Sequence, residues 1–187
     1  MKTHRVASLV VFLLITACAK PADEGSVAAD AVPAAGEEPV ERAAPVDFGR
    51  PELEGYERGI VEETERVVEA EGALAAASTP EGRAKAAQAK WEDATLPEGA
   101  EEAGIPEARY REVRAAIHRA FETMDYQGKI DGPMELDTAL ATPEMKGRLT
   151  EDPFGHLTPT AAAGLKGRLD RLVPLWIKYV RLTVASY

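Results

Sequence analysis

Histidines, carboxylates and a cysteine are the groups in this 187-residue chain that could do chemistry, and it has three histidines and one cysteine. His118 and Glu122 stand four positions apart in a helical stretch, so they share a face and could ligate a metal together. Zinc would need further carboxylates brought from elsewhere in the fold. His156 lies in Asp152-Pro153-Phe154-Gly155-His156-Leu157, a loop ahead of the last helical element. An enzyme built on this chain would have to use a carboxylate–histidine site of that kind. The signatures of nucleophilic catalysis are missing: no Gly-x-Ser-x-Gly occurs, and beyond residue 50 serine occurs only at 78 and 186. No glycine-rich phosphate loop is present, and no cofactor is implied. The leading expectation is a protein without catalytic activity, with an enzyme as a lesser alternative.

Between two expected helices, residues 123–134 present Asp125, Gln127 and Asp131 as oxygen donors. This stretch resembles the middle of an EF-hand calcium loop. Asp125 would take the third position, Gln127 the fifth, Gly128 the turn, Lys129 the carbonyl, Ile130 the hydrophobic link and Asp131 the ninth. Thr123 and Met134 depart from that pattern at the first and last ligand positions, and Glu122 and Glu135 are each one residue out of register. A tight interhelical turn on Gly128 and Gly132 is the first expectation. A ligand or divalent-cation loop over 122–135, with Asp125, Gln127 and Asp131 as its metal residues, is the alternative.

The clearest chemistry is at Cys18. Lys2, His4 and Arg5 form a basic start, followed by the uncharged run Val6–Ala17. As a helix that run is about 18 Å long, well short of a ~30 Å bilayer core, so residues 1–17 read as an export signal. The run ends in Ile15-Thr16-Ala17-Cys18, which resembles the lipobox of bacterial lipoprotein precursors. The resemblance implies cleavage before Cys18, a diacylglycerol on its thiol and acylation of its new amino group. Acyl chains contribute about 0.8 kcal/mol per buried CH2, so two or three of them hold a domain on a membrane almost permanently. Ala19 stands where an aspartate would resemble an inner-membrane retention signal, which favours delivery to the periplasmic face of the outer membrane.

These chemical groups need elements to position them. Residues 19–50 contain nine alanines, four prolines, three glycines and seven acids, with Phe48 as the only aromatic. Such a segment cannot bury enough apolar surface to offset its ordering, so 18–50 is expected to be a lipidated, disordered tether. From Pro51 the pattern is helical, and the expected fold class is all-α, an up-and-down bundle of about four main helices spanning 51–187. Thr79-Pro80, Ile105-Pro106, Thr142-Pro143 and Thr158-Pro159 mark starts, because proline suits the first helical position and threonine can cap free amides.

The periodicity predicts a first helix over 51–77, with Leu53, Tyr56, Ile60, Val67 and Leu74 inward, widened by Val68 and Ala75. Glu54, Glu62, Glu63, Glu65 and Glu69 are assigned to the opposite, solvated side. An alanine-rich helix over 80–95 is expected to be anchored by Trp91, and a third over 106–124 carries Tyr110, Val113, Ile117 and Phe121 inward. Short pieces follow near 134–140 and 143–149. A last element over 159–186 is bent at Pro174, and its Leu172–Val184 stretch is expected to be the central helix.

Within 51–107 there are 15 acids and 5 bases, against 10 acids and 12 bases within 108–187. Acidic helices packed beside basic ones are the simpler account, and an acidic face for a cationic partner the sharper one. The net charge of −10 argues against nucleic acid as a partner. The combined expectation is a lipid-anchored periplasmic helical protein that binds another envelope protein or supports an assembly, possible kinds including an inhibitor or immunity protein. Trp176, Tyr179 and Tyr187 are its expected partner contacts.

Overall fold

The computed structural model of the chain describes residues 43–134 and 141–184, and these are all-helical. In chain order they form α1 (Arg50–Ala76), α2 (Pro80–Gln88), α3 (Glu92–Ala103), α4 (Glu107–Tyr126), α5 (Pro143–Arg148), α6 (Pro159–Lys166) and α7 (Leu169–Val184). Strand-like pairing among the described residues is confined to one isolated parallel bridge, Val46–Leu157. The export signal, Cys18, the tether up to 42, the piece expected over 135–140 and Tyr187 lie outside the described residues.

The threonine–proline starts behave as their chemistry requires. Thr79, Thr142 and Thr158 accept the backbone N–H three residues ahead at 3.0, 3.2 and 3.2 Å, opening α2, α5 and α6. At the fourth start, Pro106 precedes α4 without a side-chain cap. At α1 a glutamate caps instead: Glu52 Oε2 accepts the Gly49 N–H at 2.7 Å.

The bundle is built around α1, which packs against α2, α3, α4, α6 and α7. The central helix is therefore α1 and not the Leu172–Val184 stretch. Its inward stripe is Leu53, Tyr56, Ile60, Val67 and Ala70, meeting Leu96 and Ala100 of α3, Tyr110, Ile117 and Phe121 of α4, and Leu172 and Trp176 of α7. Val68 is 49 % exposed and Ala75 is exposed, so neither widens the stripe.

Four further expectations are corrected. The fold begins before residue 51: Val46 N–H donates to His156 O at 3.0 Å, Thr158 N–H donates to Val46 O at 2.9 Å, and Phe48 is buried in the core. Arg109 fastens this lead-in by donating to Asp47 O and to Glu52. Second, the helix expected over 80–95 is interrupted at Ala89–Trp91, where Trp91 takes an extended backbone and starts α3. Trp91 is 58 % exposed and anchors nothing in the core.

Third, α3 runs through Pro97 and Gly99, residues that read as breaks in sequence. Gly99 is required by packing, since a Cβ there would lie 2.7 Å from Glu63 Cγ. A Cβ on Gly59 of α1 would likewise overlap Gly99 O and the Tyr110 ring. The two glycines let α1 and α3 cross closely. Fourth, the last element breaks at Gly167–Arg168 rather than at Pro174. Pro174 is exposed in the second turn of α7, where it removes one backbone hydrogen bond.

The charge asymmetry resolves as the simpler account has it. Glu54 pairs with Arg168 at 2.9 Å, Glu57 with Arg168 and Arg171, and Glu52 with Arg109. Acidic α1 is thus laid against bases from the second half of the chain. A concavity of about 650 Å³ along α1 is lined by Arg50, Glu54, Glu57, Arg58, Arg168 and Arg171 among others. Glu54 and Glu57 there are each paired with arginines of the same wall, and Arg58 donates to the α3 carbonyls of Glu102 and Ala103. This concavity serves the packing of the helices.

Candidate functional site

Glu63 follows Tyr56 and Ile60 on the inward stripe of α1 and is completely buried, not solvated as expected. Arg114, one turn beyond Tyr110 on α4, is 3 % exposed and faces it. Arg114 Nε donates to both Glu63 oxygens at 2.9 and 3.1 Å, and Tyr110 OH donates to Oε1 at 2.7 Å. The remaining Arg114 nitrogens reach Tyr179 OH at 2.9 Å and Glu92 Oε1 at 3.1 Å. Burial works against the Arg114 charge, but Glu63, Tyr179 and Glu92 outweigh it and raise its pKa. Burial, reinforced by the Glu63 carboxylate, keeps the Tyr110 phenol protonated. The pair is fully hydrogen-bonded, the condition under which a buried charge is tolerated.

Above this pair lies a cleft of about 360 Å³ between α2, α4 and α7. Its apolar wall comes from Leu74 at the end of α1, Ala87 of α2, Met134, and Val180 and Tyr179 of α7, with Trp91 on the rim. Its polar wall comes from Lys90, Glu92, Arg114, His118 and Glu122. Lys90, 7 % exposed, is ion-paired with Glu71, and Arg148 holds Glu122 at 2.6 Å. His118 sits edge-on to Tyr179, Tyr56 and Trp176, with ring centroids 5.9, 6.0 and 6.5 Å away. Its Nε2 is buried and has no hydrogen-bond partner. Burial and then the nearby Arg114 charge hold the His118 pKa well below 6.5.

That neutral histidine has a pH consequence. An unfolded chain takes up a proton at His118 below about pH 6.5, and the native state does not until much lower pH. Stability contributed by neutral His118 is therefore present above that value and is lost as pH falls, by up to about 1.4 kcal/mol per pH unit. His156 acts in the same direction, its pKa lowered first by burial. In urea unfolding at pH 7.5 and 5.5, wild-type protein should lose more stability than His118→Phe; equal losses would show that His118 is not held neutral.

The structure places the sequence-derived candidates as follows. His118 and Glu122 line the same cleft, but Glu122 is bound to Arg148 and no third ligand joins them. Among the described residues no group of three or more His, Cys, Asp and Glu could hold a metal ion. His156 is a staple: its Nε2–H donates to Ala116 O of α4 at 2.8 Å.

The 122–135 loop is the tight turn. Gly128 has φ +65°, and Asp125, 8 % exposed, accepts the N–H groups of Gly132 and Met134 at 2.9 and 2.8 Å. Gln127 donates its amide to Arg148 O and Glu151 O, and Asp131 is exposed. Asp125, Gln127 and Asp131 therefore do not converge on a cation, because the first two are committed to holding the turn and α5. Trp176 is fully buried and Tyr179 is 5 % exposed, which withdraws Trp176 as a partner contact and leaves Tyr179 only as part of the cleft wall.

Sequence reading missed Glu63 and Arg114. The signal was there, since 56, 60, 63 and 67 form a continuous helical stripe, as do 110, 114, 117 and 121. No protein-family profile, curated protein or solved structure matches this chain.

Proposed function

We propose that this protein is a non-catalytic binding domain held at the bacterial cell envelope by acyl chains on Cys18, on the periplasmic face of the outer membrane, and that it binds through the α2–α4–α7 cleft. The observation that carries the binding half is Trp91, a large aromatic left 58 % exposed on the rim of an apolar cleft of about 360 Å³. Exposed tryptophan beside a concave apolar wall is the composition of a recognition site. The neighbouring charges are already paired, which gives the wall a fixed shape before anything binds. The lipobox residues Ile15-Thr16-Ala17-Cys18 support the anchoring half. No helix of the described residues is long and apolar enough to cross a membrane, so attachment through this part of the chain would fall to the lipid.

Two measurements test the two halves. Wild-type protein should sediment with membranes and Cys18→Ser should move to the soluble fraction; a variant that stays with the membranes contradicts the anchor. A photocrosslinking residue at position 91 of the full chain should give a discrete adduct in intact envelopes. The same residue at position 149, where Leu149 is exposed outside the cleft, should not. Equal labelling from both positions, or none from 91, contradicts the cleft.

A further inference from the structure

The chemistry of the cleft wall narrows what it would hold. This step rests on the cleft being the binding site. The wall carries two cations, Lys90 and Arg114, and two carboxylates, Glu92 and Glu122, so its formal charge balances to zero. Arg114 is engaged at all three nitrogens by Glu63, Tyr179 and Glu92, and Glu122 is held by Arg148. Lys90 is paired with Glu71. An ionic ligand would have to break one of these pairs, and an anion would also stand beside Glu92 and Glu122.

One polar atom of the wall is different. His118 Nε2 is buried with no partner, on a ring already fixed edge-on among Tyr56, Trp176 and Tyr179. A buried polar atom without a partner is costly, and a ligand group that bonds to it recovers that cost. A neutral imidazole can present Nε2 as acceptor or, in its other tautomer, as donor. The rest of the wall offers aromatic and aliphatic surface.

We infer that the cleft takes an uncharged, largely apolar small molecule bearing one hydrogen-bonding group, which it sets against His118 Nε2. The volume falls at the lower end of the range for small-molecule sites, enough for a bicyclic ring and short substituents. Trp91 covers the outer face of such a ring and Val180 supports its inner edge.

Three probes of one shape separate the possibilities: naphthalene, 2-naphthol and 2-naphthoate. They are titrated into the full Cys18→Ser chain, which is free of acyl chains that would absorb them, and followed by NMR at the Trp91 indole and the cleft amides. The hydroxyl of 2-naphthol should give about tenfold tighter binding than naphthalene, the yield of one hydrogen bond to an otherwise unpartnered group. The carboxylate of 2-naphthoate should bind at least tenfold more weakly than 2-naphthol. His118→Phe keeps the ring and removes the nitrogen, and should bring 2-naphthol to the affinity of naphthalene; His118→Gln, which keeps a hydrogen-bonding group, should retain part of the preference. Binding at the cleft without this ranking, or a ranking unchanged in His118→Phe, overturns the ligand chemistry and leaves the cleft standing. Cleft signals unmoved by all three probes overturn the cleft as well.

Discussion

Replacing Arg114 with methionine should lower the stability of the fold by about 3–5 kcal/mol, the usual cost of removing one member of a buried ion pair. Methionine fills similar space, so the loss isolates charge and hydrogen bonding from packing. It leaves the completely buried Glu63 carboxylate with only Tyr110 and a long 3.4 Å contact from Thr95. The opposite change should cost less. Glu63→Leu leaves Arg114 still paired with Glu92, whose side chain is 55 % exposed, and still bonded to Tyr179. The double variant Glu63→Leu/Arg114→Met removes both charges and should recover much of the loss, since exchanging a whole buried pair for apolar side chains is often near neutral. Urea unfolding of the four proteins checks this order; an Arg114→Met variant as stable as wild type would mean that Glu63 finds water or another partner.

The second large effect belongs to Trp176→Ala, expected at about 3–5 kcal/mol for truncating a fully buried indole. Trp176 is the largest of the fully buried side chains and packs against Phe121 with ring centroids 5.8 Å apart and against His118. Its Nε1 has no hydrogen-bond partner. Trp176→Phe should therefore cost clearly less than Trp176→Ala, because it loses area without orphaning an acceptor. Unfolding midpoints decide the matter. Similar losses in the two variants would show that the indole N–H is bonded in solution.

These two positions also show how much of the molecule was legible in its residues. The all-helical class, three threonine caps and the inward sides of α1 and α4 follow from spacing alone. Trp176 was correctly read as inward on the last helix, and its burial excludes the alternative role as a partner contact. Glu63 and Arg114 obeyed the same spacing, yet residue type argued for solvent, and only the opposing helix shows that each completes the other. A single sequence carries no information about which charged side chain meets which across a helix crossing.

Glycine misled in the same way. Gly99 and Pro97 read as the end of a helix, whereas α3 needs Gly99 so that Glu63 and Gly59 can lie against it. Trp91 was assigned to the core because tryptophan is usually buried, but the chain leaves helical geometry at 89–91 and turns it outward. Phe48 and Val46 were hidden in a segment whose composition is otherwise that of a spacer, because two apolar residues have no period. The cleft itself draws on the ends of α1, α2, α4 and α7, and no contiguous motif encodes such a convergence.

The central claim is that a lipid-anchored domain carries its ligand in the cleft beside Trp91 and His118. Native mass spectrometry of the full lipidated protein, extracted gently from its own membranes, tests it most directly when wild type is compared with Ala87→Phe, which fills the cleft from the solvent-facing helix α2. The account predicts a mature chain beginning at the acylated Cys18 in both, with a small uncharged adduct on wild type that is absent from Ala87→Phe. The same adduct on both proteins, or none on either, would contradict it.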